Sequence, residues 1–432
     1  MKKVKFALSI ILSVCLMLPV FSVSAETVEN TKNIKKAYDE TINYLSGLTE
    51  KADAAVGSAG GEWMVLALAR ANAKTKTGFF CRYKATVEKY VEEKINDKEQ
   101  LHRAKSTDNS RVILACVAAG IDPRNIKGHN LIKGLSSLSF VEGQGINGPV
   151  FALLALDSYN FDVVENSENP QDTATREKLI SSVLSKFTNG GWNYGFGAAD
   201  PDMTAMAIQS LAPYYSKNNE VKEKVDQALT TLSNMQNNNG GYTSWGSENS
   251  ESIAQVLVAL TSLKINPLTD SRFIKNGKTL LDALNVFAVE GGGFKHTSTT
   301  GLNAMATEQA AYALVSFFRT QNGKKSLYDM TDTDFEIGTH YWDNGVVTKE
   351  PSVSYTGIKT FTCVSCGATR IETLAKLSDI HTDNGNANGN SNGNSAETKS
   401  PKTKDVAAPF VLVVSSLGLA LILINKNKKR VF

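Results

Sequence analysis

Apolar residues along this chain fall into two alternating kinds of stretch. Those near 31–46, 84–98, 128–139, 172–187, 220–235 and 273–288 are amphipathic and charged, as in Val221-Lys222-Glu223-Lys224-Val225-Asp226. Those near 62–72, 107–120, 148–160, 202–213, 251–264 and 304–319 are nearly uncharged after their first turn, as in Ala205-Met206-Ala207-Ile208-Gln209-Ser210-Leu211-Ala212. Helical periodicity dominates between about residues 30 and 322, and no alternating strand pattern persists there. A helix apolar on nearly all sides belongs inside a fold, and one with a single apolar stripe belongs on its outside. The pattern predicts an all-α domain over residues 26–325, a closed α6/α6 toroid of six helix pairs with the apolar helices inside.

A glycine-aromatic mark punctuates the helices, returning about every 50 residues. It reads Gly60-Gly61-Glu62-Trp63, Gly190-Gly191-Trp192, Gly240-Gly241-Tyr242 and Gly291-Gly292-Gly293-Phe294. Degenerate copies at Lys105-Ser106-Thr107-Asp108 and Gln144-Gly145-Ile146-Asn147-Gly148 fill the gap. This signature, followed each time by an Ala/Leu helix, resembles the α/α-toroid superfamily of squalene and terpene cyclases, prenyltransferase β subunits, complement-type thioester domains and cobalamin carriers. Asp200-Pro201-Asp202-Met203-Thr204-Ala205 and Met305-Ala306-Thr307-Glu308-Gln309 resemble an exported, surface-anchored bacterial subgroup of it.

Each chemistry that the resemblance implies can be tested on the residues. Class II terpene cyclases protonate an alkene with an Asp-x-Asp-Asp motif at an inner-helix start. Asp200 and Asp202 stand in that segment, but Met203 replaces the neighbouring carboxylate. The same residues read equally as a helix start, with Asp200 as N-cap and Pro201 at the first position. The zinc pair of prenyltransferases needs a cysteine that this segment lacks, and the Gly-Cys-Gly-Glu-Gln thioester segment is absent. The cobalamin carriers make a corrinoid one candidate ligand.

What remains is capture of a small molecule, glycan or peptide where the inner helices begin. First turns there offer unpaired backbone N–H groups. The candidate contacts are Trp63, Asp108, Asn147, Trp192, Tyr194, Asp202, Trp245, Phe294, His296, Glu308 and Gln309, since aromatic walls with a few polar groups make small-molecule pockets. The rival expectations are a terpene cyclase/mutase-like enzyme with Asp202 as general acid, and a structural adhesin.

The termini add a location. Residues 1–25 have a basic start, an apolar run and a Val23-Ser24-Ala25 cleavage site, and read as a signal peptide. Residues 382–405 are Asn/Gly-rich and read as a disordered stalk. It ends in Ser400-Pro401-Lys402-Thr403-Lys404-Asp405, which resembles a sortase sorting signal except that Lys404 stands where the signal has glycine. Residues 406–425 form an apolar segment long enough to span a bilayer, and 426–432 a basic cytoplasmic tail. The expectation is a protein held on the outer face of a Gram-positive membrane or wall, with the membrane and a sortase as partners. With 46 basic and 43 acidic residues, charge makes no case for nucleic-acid binding. Between fold and stalk, residues 330–381 read as a small module of two or three strands. Its Cys363-Val364-Ser365-Cys366-Gly367 resembles a Cys-x-x-Cys-Gly module of clostridial surface proteins. Cys363 and Cys366 with His340 and His381 make a candidate zinc site, a disulfide between the cysteines is an alternative, and a free pair is a third.

Overall fold

The structure, a computed structural model, describes residues 25–57, 60–335 and 342–377, apart from 365, 366 and 368. The leader, stalk, apolar segment and basic tail lie outside the described residues, as do His340, Cys366 and His381. The chain divides into two compact units, one up to Thr339 and one from His340.

The first unit alternates the two helix kinds as the pattern requires. The polar-faced helices are α1 (Ala25–Leu48), α3 (Phe79–Lys94), α5 (Leu138–Glu142), α7 (Arg176–Ser185), α9 (Asn219–Met235) and α11 (Leu280–Asn285). The apolar ones are α2 (Glu62–Arg70), α4 (Ser106–Ala118), α6 (Asn147–Asp157), α8 (Pro201–Leu211), α10 (Ser250–Ser262) and α12 (Ala304–Gln321). In α9 only Val221, Val225, Ala228, Leu229 and Leu232 are buried, a single stripe at helical spacing. In α10 every residue from Ser252 to Thr261 is buried, so that helix has no solvent face. The apolar helices pack in chain order, α2 on α4, α4 on α6, α6 on α8, α8 on α10 and α10 on α12, and α12 also packs against α2.

Two expected outer helices are shorter than their periodicity. Residues 128–139 give a 3-10 turn at Lys133–Leu135 and then α5, and residues 273–288 give a 3-10 turn at Ser271–Phe273 and then α11. Gly134 shows why: a Cβ there would lie 2.1 Å from the Glu99 carbonyl oxygen and 2.2 Å from Asn109 Nδ2, so the backbone runs against its neighbours instead of presenting a helix side. Ser137 and Thr279 then restart helix, each accepting a backbone N–H with its hydroxyl, and Thr279 and Asp282 complete a capping box. Two small hairpins interrupt the helical domain, β1 (Thr243–Ser244) with β2 (Ser247–Glu248) and β3 (Phe294–Lys295) with β4 (Leu302–Asn303). Two-residue strands are too short to show alternation in a sequence.

Beyond α12 the chain is latched down. Asp332 Oδ1 lies 2.6 Å from Arg70 Nη1, and its Oδ2 lies 2.5 Å from Arg319 Nη2. Arg70 also donates to the carbonyls of Ser326, Leu327 and Asp329 at 2.9, 3.0 and 2.8 Å.

The second unit holds an antiparallel sheet of β5 (Val346–Lys349), β6 (Gly357–Thr362) and β7 (Thr369–Leu374), with β6 in the middle. Val346 faces Thr360, and Gly357 faces Leu374. Cys363 is buried just past β6.

Candidate functional site

The double glycines do structural work first. Gly190 has φ +81°, a conformation that favours glycine, and a Cβ on Gly191 would come 2.6 Å from Thr204 Oγ1. The turn folds the following aromatic under the outer helix. Trp192 is fully buried and donates its indole N–H to the Val183 carbonyl of α7 at 2.7 Å. Its backbone N–H donates to Thr204 Oγ1 of α8 at 3.0 Å. Tyr242 repeats the arrangement, its hydroxyl donating to the Leu232 carbonyl of α9 at 2.9 Å. Phe294 repeats the other half, its backbone N–H donating to Thr307 Oγ1 at 2.9 Å. Trp192 and Phe294, expected as ligand contacts, are therefore packing groups that staple outer to inner helices. The double glycine turns their rings inward.

The side chains just after each buried aromatic point the other way. Tyr194, Trp245 and His296 line a cleft of about 490 Å³ with Asp202 and Gln309, so five of the expected contacts come together. Met206, Ser244, Glu251, Gln255, Asn303 and Met305 complete much of its wall. It is built on the starts of α8, α10 and α12, with β1–β2 and β3–β4 beside them. Trp63, Asp108, Asn147 and Glu308 are not in this lining. Trp63 packs between Phe151 and Tyr312, at ring-centre distances of 6.0 and 5.8 Å. Asp108 turns to Arg111, 2.7 Å away, and Glu308 is buried against Gly60. Asn147 is half-buried at the start of α6. The degenerate glycine marks before α4 and α6 are followed by no hairpin, so these starts lack the wall that the later repeats carry.

Trp245 is the most unusual residue in the cleft. It is 72% exposed and sits with Gly246 in the two-residue turn between β1 and β2. Both residues have positive φ, +52° and +83°, the geometry of a type I′ hairpin. Asparagine and glycine fill such turns readily, and a bulky side chain there is strained. Its ring meets Tyr194 at 5.9 Å and Phe196 at 6.1 Å, and these are 39% and 67% exposed.

Asp200 and Asp202 have separate duties. Asp200 caps α8, accepting the N–H groups of Asp202 and Met203 at 2.9 and 3.0 Å, and its other oxygen accepts from Ser244 Oγ at 2.9 Å. Asp202 Oδ1 is buried with no hydrogen-bond partner. Burial pushes its carboxyl up to about 6; the Ser252 and Ser244 hydroxyls beside it oppose the rise, and the nearby Asp200 and Glu251 carboxylates add to it. His296 Nδ1 lies 2.9 Å from both carboxylate oxygens of Glu251.

Beneath the cleft three helices share a chain of amides. Gln209 Nε2 donates to the backbone carbonyl of Gln255 at 2.9 Å and to its Oε1 at 3.0 Å. Gln255 Nε2 donates to Gln309 Oε1 at 2.9 Å and to the Tyr312 hydroxyl at 2.6 Å. Gln209 also lines a second cavity of about 770 Å³, at the C-terminal ends of α8 and α10 beside Tyr214, Lys217 and Lys264. Phe196, Met305, Asn303 and the amide chain were not expected from the sequence. Phe196 alone left a signal, since Trp192, Tyr194 and Phe196 alternate with small residues. Among the described residues, no group of three or more His, Cys, Asp or Glu side chains is placed to hold a metal.

No family model matches the chain, and no curated protein does. Among solved structures it is similar to ent-copalyl diphosphate synthase from Streptomyces platensis, with 16% identity and a TM-score of 0.40. The match covers 61% of this chain and 50% of that one, so it spans about half of that protein's length. The chemistry of the cleft has to be read from its own residues.

Proposed function

We propose that this protein is a capture module that holds a small ligand, without transforming it, in the cleft over α8, α10 and α12. The observation that carries this reading is Trp245. A large aromatic side chain held in a left-handed turn and left 72% exposed gains nothing from burial, so the strain is not repaid by the fold itself. Tyr194 and Phe196 beside it extend the same exposed apolar surface, and polar groups converge behind it. In this reading the six apolar helices form a closed toroid whose rim carries the cleft. In the same reading the leader exports the chain, and the apolar segment 406–425 holds it on the outer face of the cell.

Native mass spectrometry of the full-length chain in detergent tests the reading. A small molecule retained by the wild type and lost from Trp245→Ala supports it. Equal retention by both rejects the cleft as the site.

A second reading rests on Asp202. A buried carboxyl held up to about 6 at the wall of a cleft is poised to give a proton near neutral pH. Turnover of a polyprenyl substrate that disappears in Asp202→Asn, with the melting temperature unchanged, would favour this reading over capture.

A further inference from the structure

We propose that the cleft binds a neutral, equatorially linked pyranose oligosaccharide, its ring faces lying on Trp245 with Tyr194 and Phe196 and its hydroxyls meeting Asp202, Glu251, Asn303 and Gln309. The proposal rests on the capture reading and names the chemistry of the ligand.

The rings decide between the two kinds of ligand that aromatic groups take. A cage for an organic cation needs ring faces set apart, so that the charge sits between them within about 6 Å of each centre. Here the rings touch one another, with Trp245 tilted 48° to Tyr194 and 67° to Phe196. No gap is left for a cation between them. Trp245 offers one exposed ring face, with Tyr194 and Phe196 set at an angle beside it, and such a face suits a flat apolar partner. The C–H faces of pyranose rings joined through equatorial bonds make such a ribbon.

The lining decides against anionic and greasy ligands. No Lys or Arg stands in it, His296 is turned to Glu251, and the Asp202 and Glu251 carboxylates would repel a phosphate, diphosphate or carboxylate. A hydrocarbon chain would cover the polar groups of Glu251, Asn303 and Gln309 at the cleft wall without pairing them. Hydroxyl groups would pair with them.

The amide chain supplies the complementary donor. The Gln255 backbone carbonyl can only accept, so the Gln209 atom facing it is the nitrogen. The Gln255 side-chain atom facing that nitrogen is then the oxygen, and its own nitrogen faces Gln309 Oε1. Gln309 is left with its Nε2 as the outward donor at the cleft. Carboxylates that accept and an amide that donates match hydroxyl groups, which do both.

Cellotetraose and chitotetraose, titrated into the full-length chain and followed by isothermal titration calorimetry, test the proposal, with maltotetraose, choline and a mixed hexapeptide alongside. The expected result is saturable binding of cellotetraose or chitotetraose in the micromolar to millimolar range, stronger than maltotetraose. It should weaken about tenfold or more in Trp245→Ala and in Gln309→Leu, at unchanged melting temperature for Trp245→Ala. No binding of either equatorial sugar at millimolar concentration overturns the proposal. Binding of choline or the peptide, lost in Trp245→Ala, overturns the sugar assignment and leaves the capture reading standing. If binding to every probe is unchanged in Trp245→Ala, both fall.

Discussion

Glu308 of α12 accepts a hydrogen bond from the backbone N–H of Gly60, 248 positions earlier in the chain. The bond ties the last apolar helix to the loop that opens the first. Burial pushes the Glu308 carboxyl up to about 7; the Gly60 N–H opposes the rise and the Glu62 carboxylate adds to it. An acid whose folded value lies above its unfolded one holds its proton more tightly when folded. Its contribution to stability is therefore complete below 4.5 and lost as the pH rises through about 7. At ~1.4 kcal/mol per unit, the loss is roughly 3 kcal/mol. Glu308→Gln keeps an oxygen for Gly60 and removes the titration. Urea denaturation should show the variant gaining on the wild type by roughly that amount between acid and mildly alkaline buffer. A gap that does not change with pH would show that Glu308 keeps an ordinary carboxyl.

The two tryptophans of the neighbouring loops should separate stability from binding. Trp192 is fully buried, so Trp192→Ala should cost about 3–5 kcal/mol. Trp245→Asn puts the preferred residue into the type I′ turn and should stabilise the fold by about 1 kcal/mol while removing the exposed ring. Thermal melts of both variants check the contrast. Destabilisation by Trp245→Asn would mean that the turn is not strained.

Gln255 is the centre of the amide chain. Gln255→Leu takes the partner from the Tyr312 hydroxyl and leaves the Gln209 amide only the backbone carbonyl. We expect a loss of about 1–3 kcal/mol for the buried groups left unpaired. Gln255→Glu should be milder below the ordinary carboxylate range, where a protonated acid can still donate. Denaturation across pH distinguishes lost hydrogen bonds from lost volume, because only for the Glu variant does the difference from the wild type change with pH.

Asp332 receives two guanidinium groups, and Arg70 among them is buried with its side chain 4% exposed. Asp332→Ala should destabilise the helical domain by about 1–3 kcal/mol, because the buried Arg70 loses its counter-ion while keeping its three carbonyl acceptors and Asp332 itself is 34% exposed. Asp332→Ala combined with Arg70→Met should recover part of that loss. An additive double variant would show that the two residues do not act as a pair.

Helix kind and order were legible in the sequence because burial on one side or on all sides is written in the period of apolar residues. The stripe Val221, Val225, Leu229 and Leu232 is an example. The cleft was half legible. Tyr194, Asp202, Trp245, His296 and Gln309 meet there, but Trp192 and Phe294, the most prominent aromatics, do not. The mark Gly-Gly-aromatic fixes a loop's start but not which of its side chains turns inward. Only the buried donor and acceptor at Val183 and Thr204 decide that for Trp192. The amide chain was illegible because its members stand 46 and 54 residues apart, and only the packed depth of three helices sets them level. The candidate zinc or disulfide pair at Cys363 and Cys366 remains an expectation, since Cys366, His340 and His381 lie outside the described residues.

The latch on Arg70 has a meaning for biosynthesis. Every acceptor of that guanidinium comes from residues 326–332, which leave the ribosome last among the parts of this domain. At ~5–20 residues per second, Arg70 waits on the order of tens of seconds for its counter-ion. A chain cut short before residue 326 would keep α2 and α12 but leave the Arg70 guanidinium without any of these acceptors. The domain thus senses its own completion at its final turn, and a premature stop within the last few residues would be as visible to proteases as a much larger deletion.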